Sequence, residues 1–297
     1  MKDILIIGGF NWLGYELTEF FIKNNVFTNI IIIDVLKDYL LKDNKIKSNF
    51  DNYAHLYNEN IFHYNINIKD KNGLEEIYKV HNIQCVLNNI KFNRNISEIE
   101  KKELLGGFAN ISRLNEIYMI ERYVYLTKTH THEKLLFSNK KTEKFLEENF
   151  IFNESAYLIN ENKGTLINLP DYIFGNKCYD SNNFFYKMMN TINSKSPIYV
   201  PLCNIYCICD DLLLMIIIEA LTTSTDDKYI NNAINENVIG PHQYFDILEY
   251  MKKLTKNNNR IILEKKNKSN SHEIPPLNIT NVSLFGKYLH SLGLFLY

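Results

Sequence analysis

A chain of 297 residues with 45% hydrophobic content can bury a sizeable core, which excludes a disordered protein and leaves one large α/β domain or two unequal ones. Lysine and arginine number 33 against 34 for aspartate and glutamate, so no global basic field advertises a nucleic acid or a membrane surface, and neither partner is expected. The start of the chain lacks the layout of a signal peptide, and the longest apolar run, Leu212 to Leu221, falls short of the ~20 residues of a membrane span and contains Glu219, so a cytoplasmic protein is expected.

The elements alternate along the chain. Residues 3 to 8 (DILIIG) form a short apolar run, 14 to 24 (GYELTEFFIKN) place apolar residues at helical spacing, and 29 to 34 (NIIIID) form a second apolar run that ends in an acid. The rhythm continues through a strand at 62 to 68, a helix through GLEEIYKVH, a strand at 85 to 90, a helix at 101 to 120, a strand at 123 to 127, a helix at 137 to 149 and a strand at 164 to 170. Apolar strands separated by helices call for a parallel sheet covered on both faces. The expected fold class is therefore α/β, a Rossmann-type doubly wound parallel sheet of about seven strands. It occupies 1–170, with a smaller C-terminal substrate lobe, interleaved with it, at 171–297. In that lobe helices are expected near 182 to 193, 211 to 221 and 241 to 256, separated by the strand-like segments IYV, IYCIC, YINNA and IILE.

Five cysteines are an odd number, which argues against a disulfide framework. Cys203, Cys207 and Cys209 are close in sequence, but no CxxC pair or nearby histidine supports a metal site, and none is expected.

The first strand breaks at Gly8-Gly9, and helical spacing resumes at Gly14. In a dinucleotide-binding turn the first glycine allows the bend, the second lets the backbone approach the pyrophosphate and the third lets helix and strand pack closely. Gly8 and Gly14 take the first and third places, and Asn11 takes the second. Asparagine tolerates positive φ, so the bend can survive if its side chain points away from the phosphates or bonds to them. Asp34 lies 20 residues beyond Gly14, where an acid accepts hydrogen bonds from the adenosine ribose and disfavours a 2′-phosphate. NAD is thus expected over NADP. A tight strand-to-helix turn without a ligand is the alternative.

From here the sequence resembles the extended short-chain dehydrogenase/reductase family, the NAD-dependent nucleotide-sugar epimerases and dehydratases. GGFNWLG resembles the family's GGxGxxG turn, NINIKDKNGLEEI its GDIRDxxxL segment and RYVYLTKT its RFVYLSSS strand. INLPDYIFGN is similar to LRxxNVYGP, IYCICDDLLLMIIIEAL to FVHVDDVAxAxxxAL, and NITNVSLFGKYLHSLG to the DxSKxxxxLGW ending. The resemblance runs through nearly the whole chain. It implies NAD as cofactor, a nucleotide sugar as ligand and a homodimer, and a cofactor site made of Gly8, Asn11, Trp12, Leu13, Gly14, Asp34, Asn67, Ile68, Asn88, Lys141 and Pro170. Asn67 falls where the family has an adenine-contacting aspartate, with a turn cap as the alternative. Asn88 and Asn89 replace small residues beside the cofactor and would crowd it or hydrogen-bond to it. Pro170 and Asp171 lie where the family's main chain passes the nicotinamide, although a strand terminator explains Pro170 as well.

The resemblance also implies catalysis by a Ser or Thr and a Tyr-x-x-x-Lys, in which the tyrosine carries the proton while hydride moves. Thr129 and Lys141 match, but the tyrosine position is Phe137, and none of the 20 tyrosines has a lysine four residues later. Only seven residues, HTHEKLL, separate Thr129 from Phe137, which shortens a loop that covers the sugar nucleotide in the family. Three readings follow: a non-catalytic binding, regulatory or structural homologue with weak or no NAD; an active epimerase, dehydratase or reductase using His130 or His132 as proton donor; and an RNA- or protein-binding derivative, against which the near-zero net charge argues.

Overall fold

The computed structural model describes residues 2–35, 60–90, 98–128, 164–169, 172–174, 192, 198–201, 204–223, 239–243, 248–249, 252–253 and 261–264. Six strands, β1 (Asp3–Ile7), β2 (Ile30–Asp34), β3 (Ile61–Asn65), β4 (Ile83–Asn88), β5 (Arg122–Lys128) and β6 (Thr165–Leu169), form one parallel sheet in the order β3-β2-β1-β4-β5-β6. Chain order reverses between β1 and β4, so β1 pairs β2 on one side (Ile4 with Ile30, Ile7 with Ile33) and β4 on the other (Ile7 with Asn88). This arrangement is the doubly wound architecture expected from the alternating pattern, with six strands among the described residues rather than about seven.

The strands read as near-continuous apolar runs because helices cover both faces. All five residues of β1 are buried. Side chains alternate between faces along each strand, and Leu5, Ile7, Ile31 and Ile33 form one core with Leu74, Ile77 and Tyr78 of α2 (Lys71–Val80) and Phe108, Ile111 and Leu114 of α3 (Glu98–Ile117). On the opposite face the side chains of Ile6 and Ile32 reach the backbone of Gly9. There α1 (Trp12–Lys23) buries Leu13, Leu17 and Phe21, three positions on one helical stripe, and also Trp12 in its first turn. Asp70 caps α2 by accepting the Gly73 N–H at 3.0 Å, and Tyr78 of α2 donates its hydroxyl to Asn115 of α3 at 2.8 Å.

The remaining strands are shorter. Tyr172–Phe174 (β7) and Asn204–Cys209 (β9) run parallel, and Ile239–Gln243 (β10) joins β9 antiparallel; Ile198–Pro201 (β8) pairs in parallel with Ile261–Glu264 (β11). The helix expected from 241 does not begin there, because residues 239–243 are paired as β10. That ladder shifts register between Ile239 and His242, and the irregularity accommodates Pro241, which has no N–H to donate to a regular ladder. The helix at 211 to 221 is present as α4 (Asp210–Thr222), and the segments IYV, IYCIC and IILE are present as β8, β9 and β11. The expected helices at 137 to 149 and 182 to 193 and the segment YINNA fall wholly or almost wholly outside the described residues.

The chain divides into two compact units. One contains Met1–Lys128, Leu135–Leu169 and Leu214–Asn231; the other contains Thr129–Lys134, Pro170–Leu213 and Asn232–Tyr297. The first carries the six-stranded sheet. Among the described residues no helix is long and apolar enough to cross a membrane.

Candidate functional site

The carboxyl ends of β2, β1 and β4 lie side by side, and they carry Asp34, Gly8 and the pair Asn88-Asn89. A doubly wound sheet opens a crevice there, at the switch in strand order. Six of the residues singled out from the sequence, Gly8, Asn11, Leu13, Gly14, Asp34 and Asn89, are drawn into one hydrogen-bonded turn at this point.

Gly8 has φ of 70°, the left-handed region, and a Cβ there would lie 3.0 Å from the carbonyl oxygen of Asn89. Both facts require glycine. Gly14 is required for a different reason: a Cβ on it would run into the carbonyl of Gly9, so its bareness lets the first turn of α1 sit on the strand-to-helix turn. The expectation that Asn11 carries the bend through its tolerance of positive φ is corrected, because Asn11 is extended at φ −143° and ψ 173°. Gly8 alone supplies the unusual backbone angle of the turn.

Asn11 is the N-cap of α1. Its Oδ1 accepts the N–H groups of Leu13 at 3.0 Å and Gly14 at 3.1 Å, two of the donors that a helix start leaves without intrahelical partners. Its Nδ2 donates to the carbonyl of Gly8 at 2.7 Å. From the end of β4, Asn89 donates its amide to Asn11 Oδ1 at 3.1 Å and is itself buried. The capped helix starts at Trp12, two residues before the apolar spacing placed it. Trp12 and Leu13 are themselves buried.

Asp34 closes the other side of the turn. Its Oδ2 accepts the Phe10 N–H at 3.0 Å and its Oδ1 the Val35 N–H at 2.8 Å. Burial pushes its carboxyl above the usual range, and the two backbone bonds oppose that shift. Phe10 stacks on His63 of β3, with ring centroids 5.4 Å apart, and burial lowers the His63 imidazole.

Asn88 is fully buried, donates to the Tyr123 hydroxyl at 3.3 Å and accepts the Ile90 N–H at 3.2 Å. Burial pushes the Tyr123 phenol up to about 12, with the Asn88 bond pulling the other way. Asn67 accepts the Lys69 N–H at 3.0 Å, a local turn bond of the kind asparagine favours. Ile68 is buried in the core, and its side chain lies over Gly107 of α3. Thr129, His130, His132, Phe137, Lys141, Pro170 and Asp171 lie outside the described residues.

Sequence reasoning did not find Asn89 as the partner of Asn11, nor the bonds of Asp3 and the Tyr64–His81 contact. Asp3 binds both the N–H and the side-chain amide of Asn29 and the N–H of Asn82, and Tyr64 meets His81 Nε2 at 2.8 Å. Among the described residues Cys209, Asp210 and Asp211 bring three ligand-type atoms within 4.8 Å of one another. Asp210 accepts the Asp211 N–H at 2.8 Å in the first turn of α4, so this grouping is a helix start.

No family model matches the sequence, and no curated protein sequence does. Solved structures match over most of the chain. A UDP-glucose 4-epimerase from Thermotoga maritima, solved with UDP-glucose, is 11% identical over 90% of this chain and 86% of its own, with a TM-score of 0.61. A dTDP-glucose 4,6-dehydratase from Bacillus anthracis in complex with NAD is 13% identical, with the same coverage and a TM-score of 0.64. The Bordetella bronchiseptica enzyme WbmG, in complex with NAD and UDP, is 10% identical over 96% of this chain and 87% of its own, with a TM-score of 0.62. At these identities the likeness is one of fold. It is the fold that the sequence resemblance to the extended short-chain dehydrogenase/reductase family implies.

Proposed function

We propose that this chain is a divergent counterpart of the NAD-dependent nucleotide-sugar epimerases and dehydratases, one that keeps the nucleotide-binding fold and has lost the standard proton transfer. In this reading it serves as a binding, regulatory or structural homologue, a cytoplasmic homodimer with a nucleotide sugar as its ligand class and only a weak hold on NAD. The observation that carries it is Phe137. Where the resemblance places the catalytic phenol, this chain has a ring with no ionisable proton, and no tyrosine elsewhere has a lysine four residues on to replace the pair. The shared fold and the glycines at 8 and 14 support the retained nucleotide site.

The competing reading is an active enzyme that draws its proton from His130 or His132. The two are separated by assaying UDP- and dTDP-hexoses with NAD, following NADH absorbance and product chromatography. The non-catalytic reading expects no turnover above background. Turnover at ordinary enzyme rates that disappears on replacing His130 or His132 establishes the alternative. Sedimentation velocity tests the homodimer.

A further inference from the structure

We infer that this chain holds its nucleotide turn closed with its own amides, and that Asn11, braced by Asn89, sets the affinity for dinucleotides. The inference deepens the proposed function by giving the physical cause of a weak hold on NAD.

The start of a helix presents backbone N–H groups and the positive end of its dipole, and an anion such as a pyrophosphate binds there by accepting those N–H groups. In α1 the N–H groups of Leu13 and Gly14 are already taken by Asn11 Oδ1, at 3.0 and 3.1 Å. The amide orientation follows from its neighbours. Oδ1 faces three N–H donors, those of Leu13, Gly14 and the Asn89 side chain, while Nδ2 faces the carbonyl of Gly8. A flipped amide would point its own hydrogens at three donors. The side chain is therefore fixed by four bonds at one place.

Leaving that place is costly. Asn11 would abandon the Gly8 carbonyl, and Asn89, almost fully buried, would lose its strongest contact in the turn. A pyrophosphate bound at this helix start competes with the amide for the N–H groups of Leu13 and Gly14. Glycine at 11 has no side chain to compete, and it caps a helix nearly as well as asparagine, so the helix start survives the exchange.

The test titrates NADH into the full chain by calorimetry, comparing wild type with Asn11→Gly and Asn89→Ala, each checked for native circular dichroism. Asn11→Gly is expected to tighten NADH binding by about tenfold or more, the equivalent of one net hydrogen bond to a charged group. Asn89→Ala, which leaves the cap but removes its brace, is expected to tighten it by less. Wild type binding as tightly as Asn11→Gly overturns the inference. So does the absence of tightening in both variants, or in Asn89→Ala alone if Asn11→Gly does not fold. Nucleotide-sugar turnover by the wild type would refute the non-catalytic reading while leaving the comparison between Asn11 and glycine intact, so the two failures are distinguishable.

Discussion

The backbone N–H of Phe10 donates to Oδ2 of Asp34 at 3.0 Å, tying the glycine turn after β1 to the end of β2. With Oδ1 on the Val35 N–H, both carboxylate oxygens serve the backbone, so Asp34 has a structural duty whatever ligand it meets. Asp34→Ala removes an acceptor from two N–H groups and is expected to cost about 1–3 kcal/mol, read from urea unfolding. The pH dependence has a definite sign. Burial raises the folded-state carboxyl, so the native state binds the proton more tightly than the unfolded chain. Its contribution is fully present below the unfolded carboxyl pKa of about 3.9 and is lost as pH rises through the folded value. The stability difference between wild type and Asp34→Asn should therefore shrink from acid toward neutral pH, and a difference that grows instead contradicts the assignment.

Gly8 and Gly14 should fail differently. Gly14→Ala drives a methyl into the Gly9 carbonyl, where only backbone movement can give relief, and is expected to cost about 3 kcal/mol. Gly8→Ala strains a left-handed residue by about 1–2 kcal/mol and adds a 3.0 Å contact with Asn89. Denaturant midpoints at unchanged slope measure both. A Gly14→Ala protein as stable as wild type would contradict the close seating of α1 on the turn.

The fold was legible because β1, β2 and β4 are buried on both faces, which leaves unbroken apolar runs that a local reading detects. The end of β3 was placed late, because Ile66 and Ile68 keep an apolar alternation after the pairing has ended at Asn65. Residues 241–243 are strand where a helix is expected; a proline at 241 suits a first helical turn as well as a strand irregularity, and only the pairing with β9 decides between them. At the site, the missing glycine at 11 was visible, and an asparagine just before a helix is an N-cap signal that could have given its role. Asn89 was not visible as its partner. It lies 78 residues away and is brought to Asn11 only by the pairing of β1 with β4.

His81 makes stability sensitive to mild acid. Burial lowers its imidazole, against an opposing pull from Asp3, and the ring meets the Tyr64 hydroxyl at 2.8 Å. The folded value lies below the unfolded one, so the unfolded chain takes up the proton first. Stability is lost as pH falls below the unfolded imidazole value of about 6.5 and on through the folded one. His63, lowered by burial alone, adds to the same trend. His81→Phe should flatten the fall in denaturant midpoint between neutral and mildly acidic pH, and an unaltered slope would exclude His81 as a source.

Cys85 should be inert in the folded protein. It is buried in β4, its thiol lies 3.8 Å from the Leu221 carbonyl near the end of α4, and burial pushes it up to about 11. The thiolate is the reacting species, so iodoacetamide at mildly alkaline pH should leave Cys85 unmodified in the native state and label it on unfolding. Peptide mass mapping reads the outcome. Rapid native-state labelling would show that β4 opens far more readily than its burial implies.

Restoring one phenol should not restore an enzyme. A positioned acid–base group is worth on the order of 10²–10⁴ in rate, and under the proposed function Phe137→Tyr returns the phenol that the resemblance pairs with Thr129 and Lys141. The proton must also be delivered to an oriented sugar, and orientation is a separate contribution that a side chain at 137 does not provide. Only seven residues separate Thr129 from Phe137, and under the proposed function this shortens the segment that covers the sugar nucleotide in the family the sequence resembles, so a closed, water-free centre is not expected. Phe137→Tyr alone is therefore expected to leave UDP- and dTDP-hexose turnover within about tenfold of the wild-type background, far below the 10²–10⁴ that a working acid–base group contributes. Combining it with Asn11→Gly is expected to improve NADH binding without a matching gain in rate. The measurement is NADH absorbance with product chromatography on the single and double variants. A gain of 10² or more from Phe137→Tyr alone would show that the substrate is already clamped and that the missing phenol was the sole defect.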